Sequence, residues 1–383
     1  MHIVQIAPFI QPGGGVSGVA WNLDREFRAL GATVEAFTFD VARGTDPFHY
    51  PTTGVRGRLA RMRRIVWFRF VGTRRARAYL AARPDAVSIC HSEALAGDVF
   101  VDHGSMLRAL RAAGRPLWRI LLNPIQPLTY LHERARYRGR VHRVIVTLTS
   151  RGRDDLIALY GRVRPPVVTI PNGVDLDRFA PPTAEARSRL RAEYGLDEEH
   201  RVALFVGHDL PGKGIRHAVG ALVHAPTVML LVVGGVASTI DSARSVAEAI
   251  GVSERVLFVG PRHDIEQFFA MSDMFVLPSG YEAYGLVVLE ALASGLPVVA
   301  TRVGCAPDII VDGSNGFLVN QDAVEIGDRL ESLAAEDLTG WRHRARASVA
   351  QRTWRNSAGR YLELAARIDR ERRSERPTWE ARW

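Results

Sequence analysis

The chain reads as an α/β protein built from two Rossmann-like, doubly wound domains in tandem. Short runs rich in Val, Ile and Leu, without polar alternation, recur along it, as in strands buried on both faces of a parallel sheet. Helical periodicities fall between those runs. The length of 383 residues is too great for one ordinary core and suits two.

The first alternation opens with a strand at residues 3–7, the loop Pro12-Gly13-Gly14-Gly15, a helix over about 16–30 ended by Gly31, and a strand at 33–37. Further strands are predicted at 86–90, 98–102, 144–148 and 167–170. Pro171-Asn172-Gly173-Val174-Asp175 then leads into a polar stretch through Pro181-Pro182, the predicted linker. The second alternation has strands at 202–206, 228–233, 256–259, 274–277, 298–300 and 317–319. The expected domains are 1–176 and 177–353, with a terminal helical region, about 354–383, rejoining the first. Doubly wound sheets bind ligands beyond the carboxyl ends of their strands, so two facing sheets would hold a ligand in the cleft between them.

Charge divides the same way. Residues 1–174 hold 26 Arg against 12 acids, residues 175–341 hold 12 basic residues against 24 acids, and residues 342–383 hold 12 Arg against 5 acids. Lys213 is the only lysine. The first residues carry no basic, apolar leader, and no apolar run approaches the ~20 residues of a membrane span. Cys90 and Cys305 form no disulfide framework or metal spacing, so a reducing cytoplasm is expected. No Asp-x-Asp cluster or His/Cys ligand set is evident, so neither a metal nor another cofactor is expected.

The most informative segment is Pro278-Ser279-Gly280-Tyr281-Glu282-Ala283-Tyr284-Gly285-Leu286-Val287-Val288-Leu289-Glu290-Ala291. It joins a buried strand to a helix whose first amides, around Ala283, Tyr284, Gly285 and Leu286, offer a site for phosphate oxygens. Glu282 and Glu290 flank that turn as natural acceptors for sugar and ribose hydroxyls. The plainer alternative makes Glu282 a helix-start acid and Glu290 an exposed helix residue. In Phe205-Val206-Gly207-His208-Asp209-Leu210-Pro211-Gly212-Lys213-Gly214, a strand end and Gly-containing loop deliver one cation to a helix start, which suits a pyrophosphate. Gly13-Gly14-Gly15-Val16 lacks dinucleotide-binding spacing and is also readable as a plain turn. Two strands end in histidine, at His91 and His103; a core role is as good a reading of His91, and Asp102 could orient His103 or cap the next helix.

The segment around Glu282 and Glu290 resembles the E-x7-E element of retaining glycosyltransferases of the GT-B fold, in particular family 4. Ser294-Gly295-Leu296-Pro297-Val298-Val299-Ala300-Thr301 and Asp312-Gly313-Ser314-Asn315-Gly316-Phe317-Leu318-Val319 carry the same resemblance. It implies a metal-independent hexosyltransferase that moves a sugar, with retention, from a nucleotide-diphosphate donor to a hydroxyl of a glycan, a lipid-linked or a small-molecule acceptor. A UDP-sugar is favoured, with GDP-mannose the alternative. By resemblance Glu282 contacts the donor sugar, Glu290 the ribose and Lys213 the diphosphate. Gly14 and Gly15 line the donor phosphates, Arg262 approaches the base, and His103 lies beside the transferred sugar. The family carries Arg five positions before the lysine. His208 stands there instead, which thins the cationic clamp or moves its second charge to Arg216.

From Pro47 to Pro84 there is no acid but ten Arg, interleaved with aromatics. The run from Arg56 to Arg83 is readable as a basic amphipathic helix on an anionic membrane, placing the enzyme at the inner membrane face, as an acceptor contact, or as a solvated face. No nucleic-acid-reading module accompanies it. An epimerase on the same fold and a non-catalytic nucleotide-sugar-binding relative are the competing functions.

Overall fold

The computed structural model describes residues 1–43, 54–112, 114 and 125–375. All twelve expected strands are present, each within one residue of its expected bounds. They are β1 His2–Ile6, β2 Thr33–Phe37, β3 Val87–Cys90, β4 Val99–Asp102, β5 Val144–Thr147 and β6 Val167–Thr169, then β7 Arg201–Gly207, β8 Val228–Gly234, β9 Val256–Gly260, β10 Met274–Leu277, β11 Val298–Thr301 and β12 Gly316–Val319. They form two six-stranded parallel sheets ordered β2-β1-β3-β4-β5-β6 and β12-β11-β10-β7-β8-β9. Every β3, β4, β5, β10 and β11 residue is buried, as expected of strands covered by helices on both faces.

The chain divides into two units. The first comprises residues 1–111, 116–171 and 354–383; the second comprises 112–115 and 172–353. The crossing therefore lies at Pro171/Asn172, not in the expected linker around Pro181-Pro182. That stretch is packed into the second unit: Phe179 is buried edge-on against Phe269, and the Arg346 guanidinium donates to the carbonyls of Leu176 (2.9 Å) and Phe179 (2.6 Å). Polar composition concealed one well-held turn. The acid-rich unit also holds a fully buried guanidinium, Arg191, which donates to the carbonyls of Asp197 and Met271 and, at 3.3 Å, to Asp273.

The terminal helix Trp354–Glu375 returns to the first unit. Trp354, Tyr361 and Leu364 are buried and Leu362 is half-buried, with Tyr361 edge-on to Phe27 at 6.3 Å. Helix and unit share a net positive charge, so net electrostatics do not draw them together. The structure adds a local pair: Arg372 bonds the Asp98 carboxylate and the Ala86 carbonyl. Asp98 also accepts from the backbone N–H and hydroxyl of Ser88, so a net-positive unit still offers one well-placed anion.

Candidate functional site

Strand order locates the sites. Each sheet changes winding direction once, between β1 and β3 in the first and between β7 and β10 in the second, and ligands lie beyond the carboxyl ends at such points. The loops that leave those four strands are the Gly13–Gly15 loop, the turn at His91, the His208–Gly214 loop and the 278–285 loop. The segments that stand out in the sequence are thus the ones topology selects.

In the second unit the two loops are stitched together. Gly280 N–H donates to the Gly212 carbonyl at 3.3 Å, and Gly214 (φ +82°) packs so closely that a Cβ there would sit 2.0 Å from the Pro278 carbonyl oxygen. Asp209 shapes its turn by accepting from Gly212 N–H (3.2 Å), while Lys213 N–H donates to the Asp209 carbonyl (3.0 Å). Lys213 Nζ is thereby delivered to Glu282 Oε1, which also accepts from Ser279 Oγ at 2.8 Å. The Lys213 side chain keeps 26% exposure against 7% for Glu282, so an entering anion meets the ammonium first.

The helix Leu286–Ala293 starts at Gly285, and no side chain caps its first amides. Cys305 N–H holds the Tyr284 carbonyl at 2.7 Å, and Gly304 is pressed against both Tyr284 and Glu282. Tyr284 itself is buried and donates its hydroxyl to the Asn172 carbonyl at 3.0 Å, so only its backbone is free for a ligand. Glu290 is not an exposed helix residue. Its Oε2 is buried without a hydrogen-bond partner among the described residues, and burial raises its pKa to about 7. An orphaned acceptor in that position is chemically suited to a pair of ligand hydroxyls.

Other expected donor ligands are less committed. His208 and Arg216 are exposed, and neither side chain bonds a described residue. Arg262 forks onto Asp264 (2.8 and 2.6 Å) and lies over the Phe268 ring, so its guanidinium is already engaged. Ala283 is half-buried beside Glu282. Gly304 and the Gly212–Gly280 contact were missed in the sequence because each acts through a partner distant in the chain; Ser279, three positions before Glu282, was missed although its partner is local.

In the first unit, Gly14 caps the helix Gly15–Ala29 without a side chain, and both Gly14 and Gly15 face open space. His91 and His103 meet: His91 Nδ1 lies 3.0 Å from His103 Nε2, and His91 Nε2 lies 3.1 Å from Gln5 Oε1. Gln5 donates its amide N–H to the Ala20 carbonyl, leaving Oε1 as acceptor. His91 must then carry its proton on Nε2 and accept at Nδ1, which places the His103 proton on Nε2 and leaves Nδ1 as a lone pair. Burial lowers the His103 pKa to about 4 and holds that of His91 well below its ordinary value, so both are neutral at pH 7. Asp102 neither orients His103 nor caps the helix through Ser105. It pairs with Arg108 at 3.0 Å and accepts from Tyr137 and Gly104.

The Arg-rich stretch is helical as expected, with a π-turn inside the helical run. Residues 47–53 lie outside the described ones; helix Gly54–Trp67, a π-turn Phe68–Gly72 and helix Thr73–Ala81 follow. Arg69 is buried against Glu93 (2.5 Å) and Thr129, Arg77 donates to the Leu95 carbonyl, and Arg83 pairs with Glu35 (2.8 Å). Arg75 donates to the Ala42 carbonyl. These four guanidinia hold the fold together, while Arg63 and Arg74 are exposed and bond no described residue. No described helix is long and apolar enough to cross a membrane.

Residues 13–178 match the model of Glycosyltransferase Family 4, and residues 186–353 match that of Glycosyl transferases group 1. A D-inositol 3-phosphate glycosyltransferase of Xylanimonas cellulosilytica is 35% identical over 240 residues, 60% of this chain and 58% of that protein. A GDP-mannose-dependent alpha-(1-6)-phosphatidylinositol monomannoside mannosyltransferase of Mycolicibacterium smegmatis is 33% identical over 52% of this chain and 54% of its own. The alignments thus span between two fifths and three fifths of the curated relatives' lengths. Among solved structures, WaaG, a glycosyltransferase involved in lipopolysaccharide biosynthesis, superposes with a TM-score of 0.74 at 20% identity over 95% of this chain and 99% of its own. Anabaena HepE in complex with UDP-glucose gives 0.68 at 19% identity over 95% and 100%. The fold is GT-B.

Proposed function

We propose, for a chain that belongs to glycosyltransferase family 4, that it moves a hexose from a nucleotide-diphosphate sugar to a hydroxyl of a glycan, lipid-linked or small-molecule acceptor. The carrying observation is the second unit's paired loops: one cation, uncapped helix amides and two carboxylates, one of them orphaned, gathered at a single switch point. A sugar nucleotide presents matching groups in the same order along the loop and helix, namely sugar hydroxyls for Glu282, diphosphate for the amides at Tyr284–Leu286 and ribose hydroxyls for Glu290. A UDP-sugar is the favoured donor, as in the HepE complex, with GDP-mannose, named for the mycobacterial relative, as the alternative.

In this reading Lys213 and the amides at Tyr284–Leu286 hold the diphosphate and stabilise the charge it gains as the anomeric carbon–oxygen bond breaks. Lys213 is then drawn from Glu282 toward phosphate, and Glu282 turns to sugar hydroxyls. Glu290 accepts from the ribose. The acceptor oxygen bonds to the anomeric carbon with retention, and its proton passes to the departing diphosphate. Neutral His103 serves as a hydrogen-bond acceptor for a hydroxyl through Nδ1. The lysine and amides supply the electrophilic assistance without a metal.

The test is a donor panel with sugar acceptors, in chelator, with the product's anomeric configuration read by NMR. Retained configuration with undiminished rate is expected. An epimerised donor without transfer product, or rate lost to chelator, overturns the corresponding part. Undiminished transfer by Glu282→Ala overturns the site.

A further inference from the structure

The loops that enter β5 and β6 lie at the amino-terminal edge of the first sheet, the edge opposite His91 and His103. A hollow of about 530 Å³ there is lined by residues that include Arg140, Arg143, Arg162 and Arg164. A second, of about 650 Å³, shares Gly139, Arg162 and Arg164 with it and adds Arg134 and Arg138. No Asp or Glu lines either. All six guanidinium side chains belong to exposed residues, and five of them (Arg134, Arg138, Arg140, Arg162 and Arg164) make no hydrogen bond or ion pair with a described residue.

Elsewhere in the unit Arg69, Arg77, Arg83, Arg108, Arg136 and Arg372 each find a carbonyl or carboxylate, and unbonded arginines such as Arg355 and Arg370 line neither hollow. The cluster is also held in place. Arg164 N–H donates to the Tyr137 carbonyl, Arg143 N–H to the Asp98 carbonyl and Ile145 N–H to the Pro166 carbonyl, at 3.0, 2.7 and 2.9 Å. The backbone therefore cannot splay to relieve like-charge repulsion, and a concave surface concentrates the positive potential. At the floor, His142 is buried with Nδ1 on the Gly97 carbonyl (2.9 Å), while its Nε2 has no partner among the described residues. Guanidinium forks match phosphoryl oxygens two at a time, as they do carboxylates, and several forks in one hollow favour the more highly charged phosphoryl group.

We propose that this double hollow is a second anion site, separate from the donor site, that binds phosphoryl groups, with room for two. The groups could belong to a soluble phosphate compound or to the headgroups of an anionic bilayer. Leu131, 60% exposed at the rim of the second hollow, would meet the apolar side of such a bilayer.

The full-length chain with Lys213→Ala, which removes the donor-site lysine from the measurement, is titrated with inorganic pyrophosphate by calorimetry. It is also floated with vesicles of phosphatidylglycerol in phosphatidylcholine. Each is repeated with Arg162→Glu/Arg164→Glu added and, as a charge-matched control, with Arg355→Glu/Arg370→Glu, two exposed and unpaired positions on the terminal helix. Circular dichroism confirms that each variant folds. Pyrophosphate affinity at least tenfold weaker in the groove variant, with the control unchanged, assigns a soluble ligand. The same pattern in flotation alone assigns the lipid. Binding of neither probe, or equal loss in the control, overturns the site.

Discussion

Lys213 is the chain's only lysine, and among the described residues its carboxylate partner is Glu282, at the point where an anion would enter. Glu290 is the more telling acid. Its pKa is raised to about 7 by burial, so the stability it contributes is complete below about pH 4.5 and is lost as pH rises through 7. Glu290→Gln is therefore expected to gain thermal stability relative to the parent between pH 5 and pH 8, with no gain below pH 5. Because hydroxyl donors favour the carboxylate, sugar-nucleotide affinity should rise from pH 6 to 8 in the parent and stay flat in the variant. Calorimetry across that range reads both. A parallel pH dependence in the two proteins contradicts the assignment. Sequence carried Glu282, Glu290 and Lys213 because they lie in local strand–loop–helix text. It could not carry the Gln5–His91–His103 chain, whose first link spans 86 positions. His91→Asn, which keeps an acceptor near the lost Nδ1, is expected to retain most of kcat/KM, and His91→Phe to lose about tenfold, ~1.4 kcal/mol. A ¹⁵N spectrum should show His103 protonated on Nε2 in the parent and the Asn variant. Equal rates in both variants would remove His91 from any positioning role.

At the scale of elements, the donor loop is held by pieces far from it in sequence. Gly304 approaches the Tyr284 carbonyl so closely that a Cβ would lie 2.4 Å from that oxygen and 2.7 Å from Glu282 Cβ. Gly304→Ala should displace the start of helix Leu286–Ala293 and weaken nucleotide-sugar binding at least tenfold while far-ultraviolet dichroism stays unchanged. Unaltered affinity would mean that the loop is positioned without this contact. Strands were legible to within a residue because unbroken apolar runs have one good home, a two-sided sheet. The linker at Pro181-Pro182 was misjudged because polarity there reflects a turn whose carbonyls are bonded by Arg346. Within the Arg-rich helix, sequence could not separate the engaged guanidinia from the exposed ones: a guanidinium that caps a carbonyl looks, in sequence, the same as one in water.

For the whole molecule, the two units answer acid in opposite directions. His91, His103, His132 and His142, all in the first unit, have pKa values depressed by burial, to about 4, 4 and 3 in the last three. Their contribution is complete above about pH 6.5 and is lost as pH falls toward 4, outnumbering the opposite effect of buried Glu133. Glu290 makes the second unit gain over the same interval. Acidification from pH 7 to 5 is thus expected to open the first unit selectively. Hydrogen exchange, corrected for intrinsic rate, should show β3–β5 losing protection before β7–β11; simultaneous loss would count against buried neutral histidines as the cause. Domain number and the charge division were legible from composition. The return of the terminal helix was also expected; the Arg372–Asp98 pair that helps hold it was not, since net charge averages over single anions.

The central claim is that the second unit's paired loops hold a nucleotide-diphosphate sugar. Calorimetric titration of the parent and of Lys213→Ala with UDP-glucose and GDP-mannose tests it most directly. Saturable binding of one donor by the parent, weakened at least tenfold in the variant, is the predicted result. No binding of either donor, or equal binding by both proteins, would contradict it.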